Sequence, residues 1–130
     1  MTATVVIAVS DLLFQTRIEG AVAAMGLTPL IADTAQRLDA ALESRVLAAV
    51  FDVHEAAFAP NEAIARASAA GTRVLAFGRH TSPKDLRAAR VAGAEIVVPR
   101  SELVDRLPEL LRRLLPEDDA DIVEADSASL

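Results

Sequence analysis

The sequence predicts an α/β fold, a doubly wound sheet of five parallel strands with helices on both faces, and three observations predict it. Short β-branched runs alternate five times with Ala-rich stretches of helical periodicity. Hydrophobic residues make up 52% of the chain but aromatic ones only 3%, with no Trp or Tyr. A core of Val, Leu, Ile and Ala follows, which suits strands covered on both faces. At 130 residues the chain can bury one core and is too short for two ordinary domains.

Strands are predicted over residues 4–9, 28–32, 46–51, 73–77 and 95–98. After the first, Phe14, Ile18, Val22 and Met25 recur at helical spacing and Gly26 supplies the stop. Leu38, Ala41 and Leu42 repeat the pattern after the second. Ala63, Ile64 and Ala67 line the inner stripe of a third helix, opened by Pro60, where a missing N–H is harmless, and closed by Gly71. The fourth helix opens at Ser82, a residue type that caps, with Pro83 at the first helical position and Asp85 complementing the dipole. Leu86 and Ala89 face inward, and Gly93 ends it. The last helix, over 101–115, buries Leu103, Leu107, Leu110, Leu111 and Leu114, and Pro108 within it predicts a kink or a restart near Leu107.

Pro29 removes a ladder donor from the second strand and so points to a sheet edge. The first, third and fourth strands are the most apolar and are expected in the centre. With right-handed crossovers the order is 2-1-3-4-5, the flavodoxin-like arrangement. One domain is expected over residues 1–115, followed by an acidic, unstructured tail over 116–130.

Charge is unevenly spread. The tail holds Glu117, Asp118, Asp119, Asp121, Glu124 and Asp126 with no base, while the remaining 13 acids balance the 13 bases. Residues 79–115 are basic, with 8 bases against 5 acids, but the acids are interleaved with the arginines. That mixing argues against nucleic acid as the partner. The absence of cysteine excludes disulfides, thiolate metal sites and cysteine nucleophiles. No uncharged run approaches the ~20 residues of a membrane span, and the start of the chain reads as a strand, not a signal peptide. A cytoplasmic location without membrane association is expected.

In an open parallel sheet the functional crevice lies at the carboxyl ends of the strands. Those ends carry Ser10 and Asp11, then Asp52 and His54, then Gly78 and His80, and finally Arg100. Val50-Phe51-Asp52-Val53 resembles the phosphoacceptor step of CheY-like response-regulator receivers, and Val91-Ala92-Gly93-Ala94-Glu95 resembles the step before their fifth strand. The resemblance covers about residues 4–115. It implies a site in which two acids and the phosphoacceptor hold magnesium, a hydroxyl follows the fourth strand, and a lysine follows the fifth.

Matched to that pattern, Asp52 is the phosphoacceptor or its remnant, and Asp11 is the single acid of the Ser10-Asp11 step. The hydroxyl position falls on Gly78 and the lysine position on Arg100. No aromatic stands on the fifth strand. The resemblance therefore implies a degenerate member, a pseudo-receiver of two-component signalling whose phosphotransfer chemistry is weakened or lost and which acts by binding protein. Its surface would be the fourth helix, fifth strand and fifth helix, used for a protein partner or a homodimer. No enzymatic turnover and no cofactor are expected, beyond weak magnesium binding at Asp11 and Asp52.

Plainer readings stand beside these. Asp52 can cap the following loop, Arg100 can be its structural partner in place of a phosphate ligand, and Gly78 can serve a turn with unusual backbone angles. A divergent but phosphorylatable receiver, using Asp52 with a histidine kinase or small phosphodonor, is the first alternative function. The second is a small-anion or metal site at the crevice, with His54 and His80 as ligands beside Asp11 and Asp52. Neither a phosphate-cradling glycine loop nor a nucleophile elbow follows any strand.

Overall fold

A computed structural model describes residues 3–115, so the acidic tail expected over 116–130 lies outside the described residues. Five strands, β1 (Thr4–Ala8), β2 (Thr28–Ile31), β3 (Ala48–Asp52), β4 (Arg73–Gly78) and β5 (Ile96–Pro99), alternate with α1 (Leu12–Ala24), α2 (Ala35–Glu43), α3 (Pro60–Ala69), α4 (Pro83–Ala92) and α5 (Arg100–Leu114). The sheet order is β2-β1-β3-β4-β5, and every pairing is parallel. This is the predicted doubly wound, flavodoxin-like architecture. Pro29 sits on the edge strand β2 opposite Val5, and Pro99 on the other edge strand, where its missing N–H breaks no outer ladder.

The pleat divides each central strand between two cores. Val5 and Ile7 of β1 join Ile18 and Val22 of α1 and the leucines of α5 on one face. Val6 and Ala8 join Leu38 of α2, Ile64 of α3 and Ala89 of α4 on the other. All five residues of β3 are buried, consistent with its central place. Phe51 and Phe77 are fully buried on opposite faces, and removal of such a side chain from water contributes roughly 1.5–3 kcal/mol.

Boundaries differ from the sequence reading at functional points. β3 runs one residue further, to Asp52, and β4 one further, to Gly78, because the ladder pairs Asp52 with Phe77 and Gly78 with Pro99. Helix α5 begins at Arg100 itself. A short 3-10 turn, Ala56–Phe58, precedes α3 and was not predicted; it buries Phe58, and Ala59 then takes a left-handed conformation (φ 46°) to turn the chain into Pro60.

Ser82 occupies the N-cap position of α4, but its side chain makes no capping bond, correcting that expectation; its carbonyl accepts from the Asp85 and Leu86 amides instead. The break in α5 falls where Pro108 predicts it. Arg106 leaves helical geometry (φ −122°, ψ 22°), since the proline ring and missing N–H disrupt the preceding turn. The Arg106 guanidinium spans the kink, donating to Glu102 before it and to Glu109 after it.

Candidate functional site

The carboxyl ends of β1, β3, β4 and β5 form one rim, as the sheet order requires. Asp52, the last residue of β3, is 6% exposed, and its two carboxylate oxygens have separate partners. Oδ1 accepts the backbone N–H of His54 at 2.9 Å, which fastens the start of the β3–α3 loop. Oδ2 faces Arg100 Nη2 at 3.5 Å, a long and weak contact. Asp52 thus bonds to its own loop at His54 and lies beside Arg100.

Arg100 lies over the Phe14 ring, 5.1 Å from guanidinium carbon to centroid, and Phe14 in turn meets Phe77 at 5.5 Å. The guanidinium is thus held by a cation–π contact on one side and a carboxylate on another. Its Nε is buried and has no partner among the described residues. Sequence reading placed Phe14 in the core face of α1 and missed its contact with Arg100. The scarcity of aromatic residues was the available signal.

His54 crosses from the end of β3 to the end of β4. Its Nε2 accepts the Arg79 backbone N–H at 2.9 Å, so the proton of the neutral ring belongs on Nδ1, which faces Asp85 at 3.6 Å. This orientation explains Gly78. A Cβ there would meet Val53 Cγ2 at 2.6 Å and His54 Nε2 at 2.9 Å, so the glycine is needed for space. It ends β4 and is not among the positive-φ residues, which corrects its reading as a turn with unusual backbone angles. At the position that resemblance assigned to a hydroxyl, the room for a side chain is taken by Val53, His54 and Leu86.

Asp11 is the N-cap of α1, and its Oδ1 accepts from the Leu13 and Phe14 amides at 3.0 and 3.2 Å. The capping bonds turn that oxygen onto its own helix. Ser10 donates its hydroxyl to Glu55 in the β3–α3 loop, a partner the sequence reading did not single out and that only the fold brings near. Among the described residues no group of three His, Asp or Glu side chains is arranged to hold a metal ion. His54 has no free lone pair to offer, because Nε2 is engaged and Nδ1 carries the proton. His80 is exposed and lines a cleft of about 390 Å³ with Phe14, Arg79, Thr81, Arg100 and Val104. It is not joined with His54 in a metal site.

No family model matches the sequence, and no curated protein does. Solved structures do. The chain resembles a response regulator from Thermotoga maritima with a TM-score of 0.73 at 18% identity, over 88% of this chain and 98% of that one. It resembles the chemotaxis response regulator CheY4 of Vibrio cholerae with a TM-score of 0.74 at 18% identity, over 88% and 100%. The receiver domain of Ssk1 from Saccharomyces cerevisiae, crystallised with the histidine phosphotransfer protein Ypd1, gives 0.73 at 13% identity, over 90% and 91%. The fold is that of CheY-like response-regulator receivers. Among the described residues no helix is long and apolar enough to cross a membrane.

Proposed function

We propose that this protein is a pseudo-receiver, a signalling domain that keeps the receiver fold for contacts with other proteins while its phosphotransfer chemistry is weakened or lost. One observation carries the reading: a Cβ on Gly78 would already collide with the Val53 and His54 side chains, which leaves no room for the hydroxyl side chain that the resemblance calls for there. Support comes from Asp52, whose two oxygens are engaged by the His54 amide and Arg100. The capping role of Asp11 adds to it, because a receiver site needs clustered acids free to take magnesium. The domain then acts in the cytoplasm as a binding module without turnover, and holds no cofactor beyond weak magnesium at Asp11 and Asp52.

The contact surface in this reading is α4, β5 and α5. Val91 on α4 is 82% exposed, and beside it Lys84 and Arg87 flank a shallow groove, a combination suited to an acidic protein surface. Structurally similar receivers supply precedents for protein contacts in general: Ssk1 is seen bound to Ypd1, and the beryllofluoride-activated NtrC4 receiver is a dimer. A homodimer through the same face is the second form of the proposal.

The experiment is incubation with magnesium and acetyl phosphate, followed by intact mass measurement. The pseudo-receiver reading expects no stoichiometric adduct. A full adduct on the native chain that vanishes in Asp52→Asn would overturn it and establish the second reading, a divergent receiver phosphorylated at Asp52. That second reading is favoured by the place of Asp52 at the carboxyl end of β3, with a guanidinium beside it. A third reading takes the crevice as a site for a small anion, for which Arg100 is the principal ligand.

A further inference from the structure

We propose that the cleft between α1, the β4–α4 loop and the start of α5 binds an organic anion with a flat apolar body, of the aromatic carboxylate class. Its volume is about 390 Å³, at the lower end of the roughly 300–1,000 Å³ typical of small-molecule sites. It therefore suits an acid of one or two rings. The walls are mostly apolar, with Phe14 on α1 and Val104 on α5, and none of the lining residues is acidic.

Two arginines, Arg79 and Arg100, are among the residues that line this cleft. Arg100 is partly neutralised by Asp52 and steadied by Phe14. Among the described residues Arg79 makes no side-chain ion pair, yet its backbone is anchored, because its N–H is held by His54. Among the described residues the cleft thus has one arginine without an ion pair, on an anchored backbone beside carbon walls. A carboxylate pairs with a guanidinium in a bidentate manner, and an aromatic body covers Phe14 and Val104. Inorganic phosphate satisfies the charge but loses hydration against those walls without compensation. An uncharged aromatic leaves the cation unmatched.

This inference goes beyond the pseudo-receiver reading and does not depend on it. Its test uses neither magnesium nor a phosphodonor, so either idea can fail alone. The probe is 2-naphthoate, titrated into the full chain while backbone amide chemical shifts are followed. Saturable shifts are expected at Thr81, Ser101 and Val104, with a Kd on the order of 1 mM or tighter, as the small size of the probe allows. Arg79→Gln, at an exposed position that tolerates change, should weaken binding about tenfold, and 2-naphthol and inorganic phosphate should each bind about as poorly. Val104→Glu, which adds an acid to the wall, should abolish binding, and the same spectra report whether that variant is folded.

Absence of shifts at these amides up to about ten times the expected Kd overturns the proposal. So does equal affinity for 2-naphthol or for phosphate, or an unchanged affinity in Arg79→Gln.

Discussion

The imidazole of His54 stands where a side chain on Gly78 would project, with Nε2 only 2.9 Å from the position of its Cβ. Two residues of adjacent strand ends therefore exclude one another. Gly78→Thr is expected to destabilise the fold by about 1–3 kcal/mol through overpacking, read as a lowered urea midpoint. Combining it with His54→Ala should recover part of that loss, with a coupling of about 0.5 kcal/mol or more. Recovery will be incomplete, because Val53 Cγ2 still lies 2.6 Å from the added Cβ. Strict additivity of the two changes would show that the residues do not compete.

Asp11 serves α1, and the consequence is measurable without any ligand. Loss of its bonds to the Leu13 and Phe14 amides in Asp11→Ala should cost about 0.5–2 kcal/mol, whereas Asp11→Ser, another capping residue, should cost much less. Thermal melts with and without magnesium should give the same ranking. A melting temperature that rises strongly with magnesium in the native chain and not in Asp11→Ser would assign the carboxylate to a metal instead.

Asp52 holds its loop more firmly than it holds Arg100. Asp52→Asn keeps an acceptor for the His54 amide and loses only the charge facing Arg100, a long contact at 3.5 Å to a partly exposed partner; the expected change is within ~1 kcal/mol. Asp52→Ala leaves that amide without its acceptor and should cost about 1–3 kcal/mol. Amide hydrogen exchange at His54 should quicken in the alanine variant alone. Equal exchange in both variants would contradict this division of labour.

Glu109 is held below the usual carboxylate range, chiefly by its hydrogen bond from Arg106 and then by the charge of that guanidinium. Because the folded-state value is lowered, its contribution to stability is present above the ordinary glutamate range and is lost as pH falls through the lowered value. The pair is exposed and screened by salt, so the effect on stability is small. Carboxyl carbon NMR titration is the suitable readout: Arg106→Ala should raise the titration of Glu109 toward ordinary glutamate behaviour, with Arg113 and Arg112 left as weaker lowering influences. An unchanged titration would remove Arg106 as the cause.

The periodic apolar pattern, Pro29 on an edge and the near-continuous apolar character of β1, β3 and β4 were sufficient to define the strand order. These are local features, readable because a buried face repeats every two residues in a strand and every three or four in a helix. The same logic placed Asp52, Gly78 and Arg100 at one rim, and Pro108 announced the break in α5. Local chemistry misled at Ser82, a good capping residue whose side chain caps nothing, and it gave no sign of the turn at Ala56–Phe58.

By itself the sequence determined the architecture and the roster of the rim, with Gly78 and Arg100 among its members. Tertiary structure alone decided what those residues do: His54 reaches across 25 positions to the Arg79 amide, and Arg100 finds Asp52 across 48. Such partnerships depend on strand register and on competition for space among neighbours distant in the chain. No periodicity encodes them, because a polar group bonds to whatever donor or acceptor the fold brings within about 3 Å.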